Sequence, residues 1–220
     1  MTKQIRVIGP KDRPSKGEFL VDTTSRAKKG GTDTWRLSPF YLGPCKLYWG
    51  LKAVRMENAW QFSKVYTHQI VHEVGSAIDG STDGDYICES YFEWALKGFQ
   101  DTWAHRYPMG KGARPKFSYW AGHRLDYIKA RKAIYVPLYA NAVKSTPVYK
   151  RLVAAHAEGK ELTLWDYDGY DYGKLGMTLR EVLDNPKRKM GHAFVLAMML
   201  EEPGLVEECK TYQQSLMQKS

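Results

Sequence analysis

The chain has 220 residues, 43% of them hydrophobic, so it can bury one sizeable core and is too short to require a second. Its 33 Lys and Arg against 24 Asp and Glu give a formal net charge of +9, which favours an anionic partner such as a nucleotide, a sugar phosphate or nucleic acid. The same charge also suits a basic protein that binds no polyanion. We expect a single domain over residues 1–220 with a polar N-terminal segment at 1–34.

Several classes of protein are disfavoured by the same sequence. Residues 1–30 contain no uninterrupted apolar run, so the sequence predicts neither a signal peptide nor a membrane span there. We therefore expect a cytoplasmic protein with no membrane partner. Cys45, Cys88 and Cys209 are far apart and odd in number, which argues against a disulfide framework or a zinc site. We expect no metal and no cofactor, and the sequence leaves the oligomeric state open.

The N-terminal segments predict a strand and a basic loop. Residues 5–8 are rich in β-branched side chains and are followed by a Gly-Pro pair, which predicts a short strand. Residues 11–34 are polar, and within them Arg26 begins the basic, glycine-ended run RAKKGG. Such a loop can surround an anion because glycine lets the backbone approach, although basic loops are more often only solvated. Arg26 is therefore a candidate substrate-binding residue.

Residues 37–68, LSPFYLGPCKLYWGLKAVRMENAWQFSKVYTH, contain the densest run of candidate site residues. The Pro and Gly residues within 35–48 predict short strands joined by turns rather than a helix. Phe40 and Trp60 are the aromatic candidates for contact with a substrate.

A helix over residues 56–71 would align four polar side chains. Glu57, Gln61, Lys64 and His68 occupy positions i, i+4, i+7 and i+11, which lie along one stripe of a helix. This stripe could be the solvated face of an amphipathic helix, or it could combine an acid, an amide and an amine in one site. We place the active site here, with Glu57 and Lys64 as catalytic candidates and Gln61 as a substrate contact.

The middle of the chain predicts helices separated by glycine-rich loops. Residues 75–85 read as a surface loop, and 86–103 have apolar residues at helical spacing. The basic loop at 106–112 resembles a phosphate-binding P-loop only superficially, because it lacks the required spacing. Residues 118–143 are the longest helical candidate, in which Pro137 predicts a kink or a break.

The next segments predict a helix at 148–157 and a strand at 161–165. Three aspartates, Asp166, Asp168 and Asp171, follow the strand in WDYDGYDY, and acids in this position commonly point into a pocket. The run also resembles the DxDG motif of haloacid-dehalogenase-type phosphotransferases, but too little chain follows it to build their α/β core. We select Asp168 and Asp171 as catalytic candidates.

The C-terminal region predicts a helix and an undefined tail. Asn185 can cap a helix and Pro186 suits its first turn, so a helix is expected over 187–201. Residues 203–220 are polar and compatible with a short helix or a flexible tail. The start of the predicted helix is a plausible seat for an anion because it combines free backbone N–H groups with basic side chains. The candidate substrate-binding residues there are Lys187, Arg188, Lys189 and His192.

Three segments in this order, LSPFYLGP, MENAWQFSKVY and KMGHAFVLAMMLE, resemble the NADAR (YbiA-like) family of N-glycosidases. In that family an N-x-F turn precedes an E-x-x-x-Q-x-x-K helix, and a late helix of the G-x-x-L-M type completes the fold. The resemblance covers residues 37–64 and, more loosely, 129–201. It implies a mainly helical α+β fold with a few short strands, and cleavage of N-glycosidic bonds, including those of ribosylated intermediates and ADP-ribosylated guanine.

The resemblance also implies roles for individual residues. Glu57 corresponds to a catalytic acid or base, and Lys64 to an amine that forms a Schiff base or orients the substrate. Family members often carry a Trp-Gly pair after the late acid, whereas this chain has WDYDGYDY, so Asp168 and Asp171 both stay open for that role. The expected protein is a divergent, bacteriophage-type hydrolase that cleaves the N-glycosidic bond of a ribosylated, phosphate-bearing nucleotide or an ADP-ribosylated base. The alternative is a non-catalytic protein that binds nucleotides or nucleic acid through its basic surface.

Overall fold

Short strands and helices alternate along the chain in the computed structural model, which describes residues 5–73 and 84–218. The strands are β1 (Arg6–Ile8), β2 (Phe19–Asp22), β3 (Cys45–Lys46), β4 (Lys52–Ala53), β5 (Lys64–Val65), β6 (Ile70–Glu73), β7 (Gly84–Ile87), β8 (Phe117–Trp120), β9 (His123–Leu125) and β10 (Leu162–Trp165). The helices are α1 (Met56–Gln61), α2 (Glu89–Gln100), α3 (Tyr127–Ala130), α4 (Val136–Val143), α5 (Pro147–Ala157), α6 (Leu179–Asp184), α7 (His192–Glu201) and α8 (Pro203–Gln218). The expected α+β class with short strands is confirmed.

A parallel three-stranded sheet joins the N-terminal region to a strand late in the sequence. β10 lies between β1 and β2 and pairs with both in parallel. The strands predicted at 5–8 and 161–165 are confirmed, but β2 lies within 11–34, where we expect only a polar segment. β2 is an edge strand whose Phe19 and Leu20 side chains are half exposed, so its burial pattern is weak. The carboxyl ends of all three strands meet at one edge, where ligand sites of parallel sheets commonly form.

The helical part of the core surrounds α7. Every side chain from His192 to Met198 is buried, as expected for a helix that is apolar all round. α7 packs against α4, α8 and β1. Buried hydrophobic side chains form a continuous cluster that reaches from Ile5 to Leu216. The C-terminal region 203–220 is therefore the core-packing helix α8 over most of its length rather than a flexible tail.

The predicted helix over 118–143 is wrong in its first third. Residues Phe117–Leu125 form the hairpin of β8 and β9, whose turn contains Ala121 and Gly122, both with positive φ (46° and 83°). Such a turn is typical of two-residue hairpins. Helical structure then runs from α3 through a π-helical segment at Arg131–Tyr135 into α4 without a break at Pro137. Because proline lacks an N–H, Gln213 Nε2 donates instead to the carbonyl of Ala133, at 2.7 Å.

The predicted helix over 56–71 is also too long. α1 ends at Gln61, and the chain continues as β5, which pairs with β8. The Ser63 hydroxyl donates to the carbonyl of Trp60 at 2.9 Å, and the following run VYTHQIV is rich in residues that favour strands. His68 is exposed in a 3-10 turn and does not extend the stripe.

Other boundaries differ in detail from the predictions. α5 confirms the helix at 148–157, and α2 occupies only the central part of 86–103. Between 35 and 48 the structure has β3 and part of a 3-10 helix, Asp33–Leu37, instead of several strands. Most of the loop predicted at 75–85 lies outside the described residues. No helix in the described residues has both the length and the apolar character needed to cross a membrane.

Candidate active site

A cleft of about 730 Å³ lies at the carboxyl edge of the parallel sheet, between α1 and the loops at 106–115 and 186–191. Its size suits a ligand as large as a nucleotide. Ten of the predicted site residues line it: Phe40, Glu57, Trp60, Gln61, Lys64, Asp168, Lys187, Arg188, Lys189 and His192. Arg26 and Asp171 are not among the lining residues.

The turn before α1 sets the position of Glu57. The backbone N–H groups of Met56 and Glu57 donate to the carbonyls of Leu42 (2.9 Å) and Pro39 (3.0 Å), in place of a side-chain cap. Gly43 makes this docking possible, because its φ is +145° and a Cβ atom there would lie 2.1 Å from a backbone oxygen. The Pro- and Gly-rich run therefore fixes the start of α1 at the cleft.

An acid, an amide and an amine form a hydrogen-bonded chain on the floor of the cleft. Gln61 Nε2 donates to Glu57 Oε1 at 2.8 Å, and Lys64 Nζ donates to Gln61 Oε1 at 2.6 Å. Glu57 is only 6% exposed, and its burial raises the pKa of the carboxyl, an effect that the hydrogen bond from Gln61 and the nearby Lys64 charge oppose only in part. Burial likewise lowers the pKa of Lys64 to about 8, with the Glu57 charge acting in the opposite direction. Burial thus favours the neutral form of both groups, which suits Glu57 to give up a proton and Lys64 to act as an amine.

Asn58, the residue after Glu57, anchors the opposite wall of the cleft. Its Nδ2 donates to the carbonyls of Asp101 (3.1 Å) and Trp103 (2.7 Å), and its Oδ1 accepts from the N–H of His105 (2.9 Å). Asn58 is completely buried, so these bonds satisfy its amide. One short helix therefore presents Glu57 to the cleft and also holds the segment that leads to Arg106.

A buried ion pair closes the inner end of the cleft. Asp166 Oδ2 lies 3.0 Å from His192 Nδ1, and His192 Nε2 lies 2.8 Å from the carbonyl oxygen of Thr23. Both ring nitrogens face acceptors, which favours the doubly protonated imidazolium. Burial alone would lower the pKa of His192 and raise that of Asp166, but the pair reverses both directions. The pair therefore stabilises the fold most at pH values between the ordinary pKa of aspartate and that of histidine. This contribution is lost as the pH falls through the lowered pKa of Asp166, and again as it rises through the raised pKa of His192.

The ion pair also occupies the start of α7. Asp166 Oδ2 accepts the N–H of Ala193 at 3.1 Å, and a Cβ atom on Gly191 would lie 2.1 Å from that oxygen. Glycine at 191 thus lets the carboxylate reach the helix N-terminus. The helix begins at His192, not at 187 as predicted, and its N-terminal anion is Asp166. Both ring nitrogens of His192 are engaged within the protein, although the residue lines the cleft.

The mouth of the cleft is cationic. Asp168 is half exposed and lies 3.8 Å from both Arg106 Nη2 and Lys189 Nζ, which approach it from opposite loops. Arg106 also contacts the ring of Tyr167, with its guanidinium carbon 5.4 Å from the ring centroid. Lys187, Arg188 and Lys189 are exposed here, in a loop rather than in the first turn of a helix. The mouth combines an excess of positive charge with aromatic surface.

Arg131 is a lining residue that the sequence did not single out. It is 1% exposed, and its Nη1 donates to the carbonyls of Val182, Leu183 and Asn185 at 3.0 to 3.1 Å. Its Nη2 donates to the carbonyl of Arg188 at 2.8 Å. One guanidinium thus satisfies the C-terminal carbonyls of α6 and holds the basic loop against the cleft. The only available signal was an arginine on the apolar face of a predicted helix.

Replacing Arg131 with methionine should lower the free energy of unfolding by roughly 3–5 kcal/mol, because several buried carbonyls would lose their donors. Urea denaturation would measure the loss. The matched control is Arg180→Met, which removes an exposed ion pair with Glu208 and should cost about 1 kcal/mol or less. Equal effects of the two substitutions would contradict the anchoring role of Arg131.

Asp171 and Arg26 are placed elsewhere by the fold. Asp171 Oδ2 accepts from Arg6 Nη2 (2.8 Å) and Nε (3.1 Å), which ties the loop after β10 to β1. Burial would raise the pKa of Asp171, but the bonds from Arg6 and a backbone N–H keep it below its usual value. Arg26 lies over the ring of Trp165 at 4.0 Å and pairs with Asp22 at 3.3 Å. Asp166 is the aspartate of the run that reaches the inner cleft.

In the described residues no three His, Cys, Asp or Glu side chains are grouped as a metal site would require. Comparisons of the chain with protein-family models, with curated proteins and with solved structures find no match.

Proposed function

We propose that the protein is an N-glycosidase-like hydrolase of the NADAR (YbiA-like) type and a divergent, bacteriophage-type member of that family. Its substrate would be a ribosylated, phosphate-bearing nucleotide or an ADP-ribosylated base. The observation that carries the proposal is the chain from Glu57 through Gln61 to Lys64 at the floor of a cleft with a cationic mouth. This chain joins a proton donor of raised pKa to an amine of lowered pKa.

These two groups can carry out the cleavage together. The neutral amine of Lys64 attacks the anomeric carbon while the bond to the base breaks, and Glu57 gives its proton to the departing nitrogen. Opening of the sugar ring moves one proton from the attached nitrogen to the ring oxygen and leaves a protonated imine. Water then adds to the imine, which releases the sugar and restores the neutral amine, and the proton set free returns to Glu57. If Lys64 only orients the substrate, Glu57 would instead assist the attack of water at the same carbon.

The mouth of the cleft supplies what a phosphate-bearing substrate requires. The guanidinium of Arg106 and the ammonium of Lys189 share Asp168 at long distances, so an incoming phosphate can replace the carboxylate as their partner. The aromatic side chains of Tyr107 and Tyr167 border Arg106 and offer stacking surface for a base. Phosphate binding at the mouth would leave the sugar facing the floor.

The alternative is a protein that binds nucleotides or nucleic acid without cleaving them. It is favoured by the placement of Asp168, which lies between two cations at the mouth instead of standing free as a second catalytic acid. In that case the cationic mouth would account for the whole function. Its binding would weaken steeply with added salt.

Release of free base distinguishes the two functions. The protein is incubated with ADP-ribosylated guanine and with an N-ribosylated nucleotide, and the products are separated by chromatography. Base release supports the glycosidase, whereas salt-sensitive binding of nucleic acid without turnover supports the alternative.

We expect Arg106→Gln to raise KM by about tenfold or more at low salt, because it removes a phosphate contact worth roughly 1.5–3 kcal/mol. Steady-state kinetics of base release would measure the change. Arg180→Gln removes an equally basic side chain that pairs with Glu208 and does not line the cleft, and it should leave KM unchanged. An unchanged KM in Arg106→Gln would contradict the assignment of the substrate phosphate to the mouth of the cleft.

A further inference from the structure

Two buried tyrosines four residues apart on the same helical segment differ in how the protein uses their hydroxyls. Tyr139 is fully buried, and its hydroxyl donates to the carbonyl of Leu37 at 2.7 Å. Tyr135 is 7% exposed and lines the cleft. Within the described residues, no hydrogen bond is made by the Tyr135 hydroxyl. The Tyr135 hydroxyl is not among the enclosed unpaired groups of the described residues, so it opens onto the cleft and is available to a ligand.

The neighbouring polar groups of the inner cleft are already engaged. Both oxygens of Asp166 accept backbone N–H groups, and Asp166 is further paired with His192, whose second nitrogen is bonded to Thr23. Both ends of the Gln61 amide are bonded as well. The Tyr135 hydroxyl is therefore, with the remaining donors of Lys64 and the second oxygen of Glu57, one of the lining groups that can still bond a ligand.

The ring of Tyr135 is held in place relative to the reactive groups. It packs edge-on against Trp60, with centroids 5.1 Å apart, and the ammonium of Lys64 lies 4.9 Å from the Trp60 centroid. The residue ends the π-helical segment Arg131–Tyr135, and such segments occur frequently at functional sites. Burial raises the pKa of Tyr135 well above its ordinary value, and the carboxylates of Asp166 and Glu57 add to the effect. The hydroxyl is therefore a permanent hydrogen-bond donor.

We propose that Tyr135 recognises a hydroxyl of the substrate's sugar and makes the cleft select ribose over 2-deoxyribose. The inference rests on the proposed function in taking the ligand to be a phosphorylated sugar derivative. A sugar without that hydroxyl would displace water from the phenol and leave it without a hydrogen-bond partner, which disfavours its binding. The sugar is assigned to the floor of the cleft because the proposed reaction of Glu57 and Lys64 takes place at its anomeric carbon.

Equilibrium binding of ribose 5-phosphate and 2-deoxyribose 5-phosphate tests the inference without requiring turnover. Isothermal titration of the parent protein should show a preference of about 10- to 100-fold for the ribose compound. Tyr135→Phe keeps the ring contact with Trp60 and should abolish the preference without lowering the melting temperature. Tyr139→Phe is the matched control, since it should lower the melting temperature and preserve the preference.

Equal affinity of the parent protein for the two sugars, failure of both to bind at millimolar concentration, or a preference that survives in Tyr135→Phe would each overturn the inference. The proposed glycosidase function fails separately, through the absence of base release in a protein that still prefers ribose. Conversely, base release by a protein that does not prefer ribose would support the glycosidase function and contradict the role of Tyr135 in sugar selection.

Discussion

Glu57→Gln should reduce the rate of base release by about 10²- to 10⁴-fold, the usual contribution of a positioned general acid or base. Glutamine keeps the size of the side chain but can neither give nor take the proton at the anomeric centre. Its amide oxygen can still accept the hydrogen bond that Gln61 Nε2 donates at 2.8 Å in the parent protein. The loss should therefore appear in kcat, with the fold intact.

The pH dependence of stability provides a second measurement on the same variant. Burial raises the pKa of Glu57 above the ordinary glutamate value of 4.5, so the folded protein binds this proton more tightly than the unfolded chain does. The ionised carboxyl thus costs the parent protein stability as pH rises from that value through the raised pKa. Glu57→Gln avoids this cost, so its melting temperature should equal that of the parent in acid and exceed it at neutral pH.

Glu201→Gln is the matched control for this pair of measurements. Glu201 is another acid whose pKa burial raises, and it bonds Tyr172 and the N–H of Ile5 away from the cleft. Its replacement should leave turnover unchanged. A Glu57→Gln protein that melts far below the parent would make Glu57 a structural acid and remove the main support for its catalytic role.

The spacing of Glu57, Gln61 and Lys64 predicted their proximity even though the predicted helix was too long. Glu57 and Gln61 lie four residues apart within α1, where helical geometry holds. The chain leaves the helix after Gln61, but the next turn keeps Lys64 within 2.6 Å of the Gln61 side chain. Local periodicity was thus sufficient for the three groups that carry the proposed chemistry, and insufficient for the more distant His68.

The residues that sequence reasoning missed act through contacts between distant parts of the chain. Arg131 bonds carbonyls more than fifty positions away, and Asn58 bonds a loop more than forty positions away. Hydrophobic periodicity does not encode such pairs. Asp166 is the first residue after β10. Ligand sites of parallel sheets commonly follow the ends of the strands, and only this rule would have favoured Asp166 over the two later aspartates. Recognising β10 as the central strand would have required knowledge of its pairing with β1 and β2.

Lys64 should form a covalent adduct that borohydride traps during turnover. The neutral amine can capture the anomeric carbon and form an imine, which borohydride reduces to a stable secondary amine visible by peptide mass spectrometry. Because burial lowers the pKa of Lys64 to about 8, the fraction of neutral amine grows as pH rises. The yield of adduct should therefore increase with pH up to about 8 and level off above it, as long as Glu57 does not limit the reaction.

Substitutions at Lys64 separate a nucleophile from a positioning charge. Lys64→Arg keeps the positive charge beside Trp60 and Gln61, but a guanidinium stays protonated and cannot form the imine, so the adduct should be lost and turnover should fall by about 10²-fold or more. Lys160→Arg is the matched control, since this exposed lysine pairs with Glu158 and does not line the cleft. It should retain both the adduct and the activity. A Lys64→Arg protein that turns over at the parent rate without an adduct would restrict Lys64 to orienting the substrate, and the attack at the anomeric carbon would then belong to water activated by Glu57.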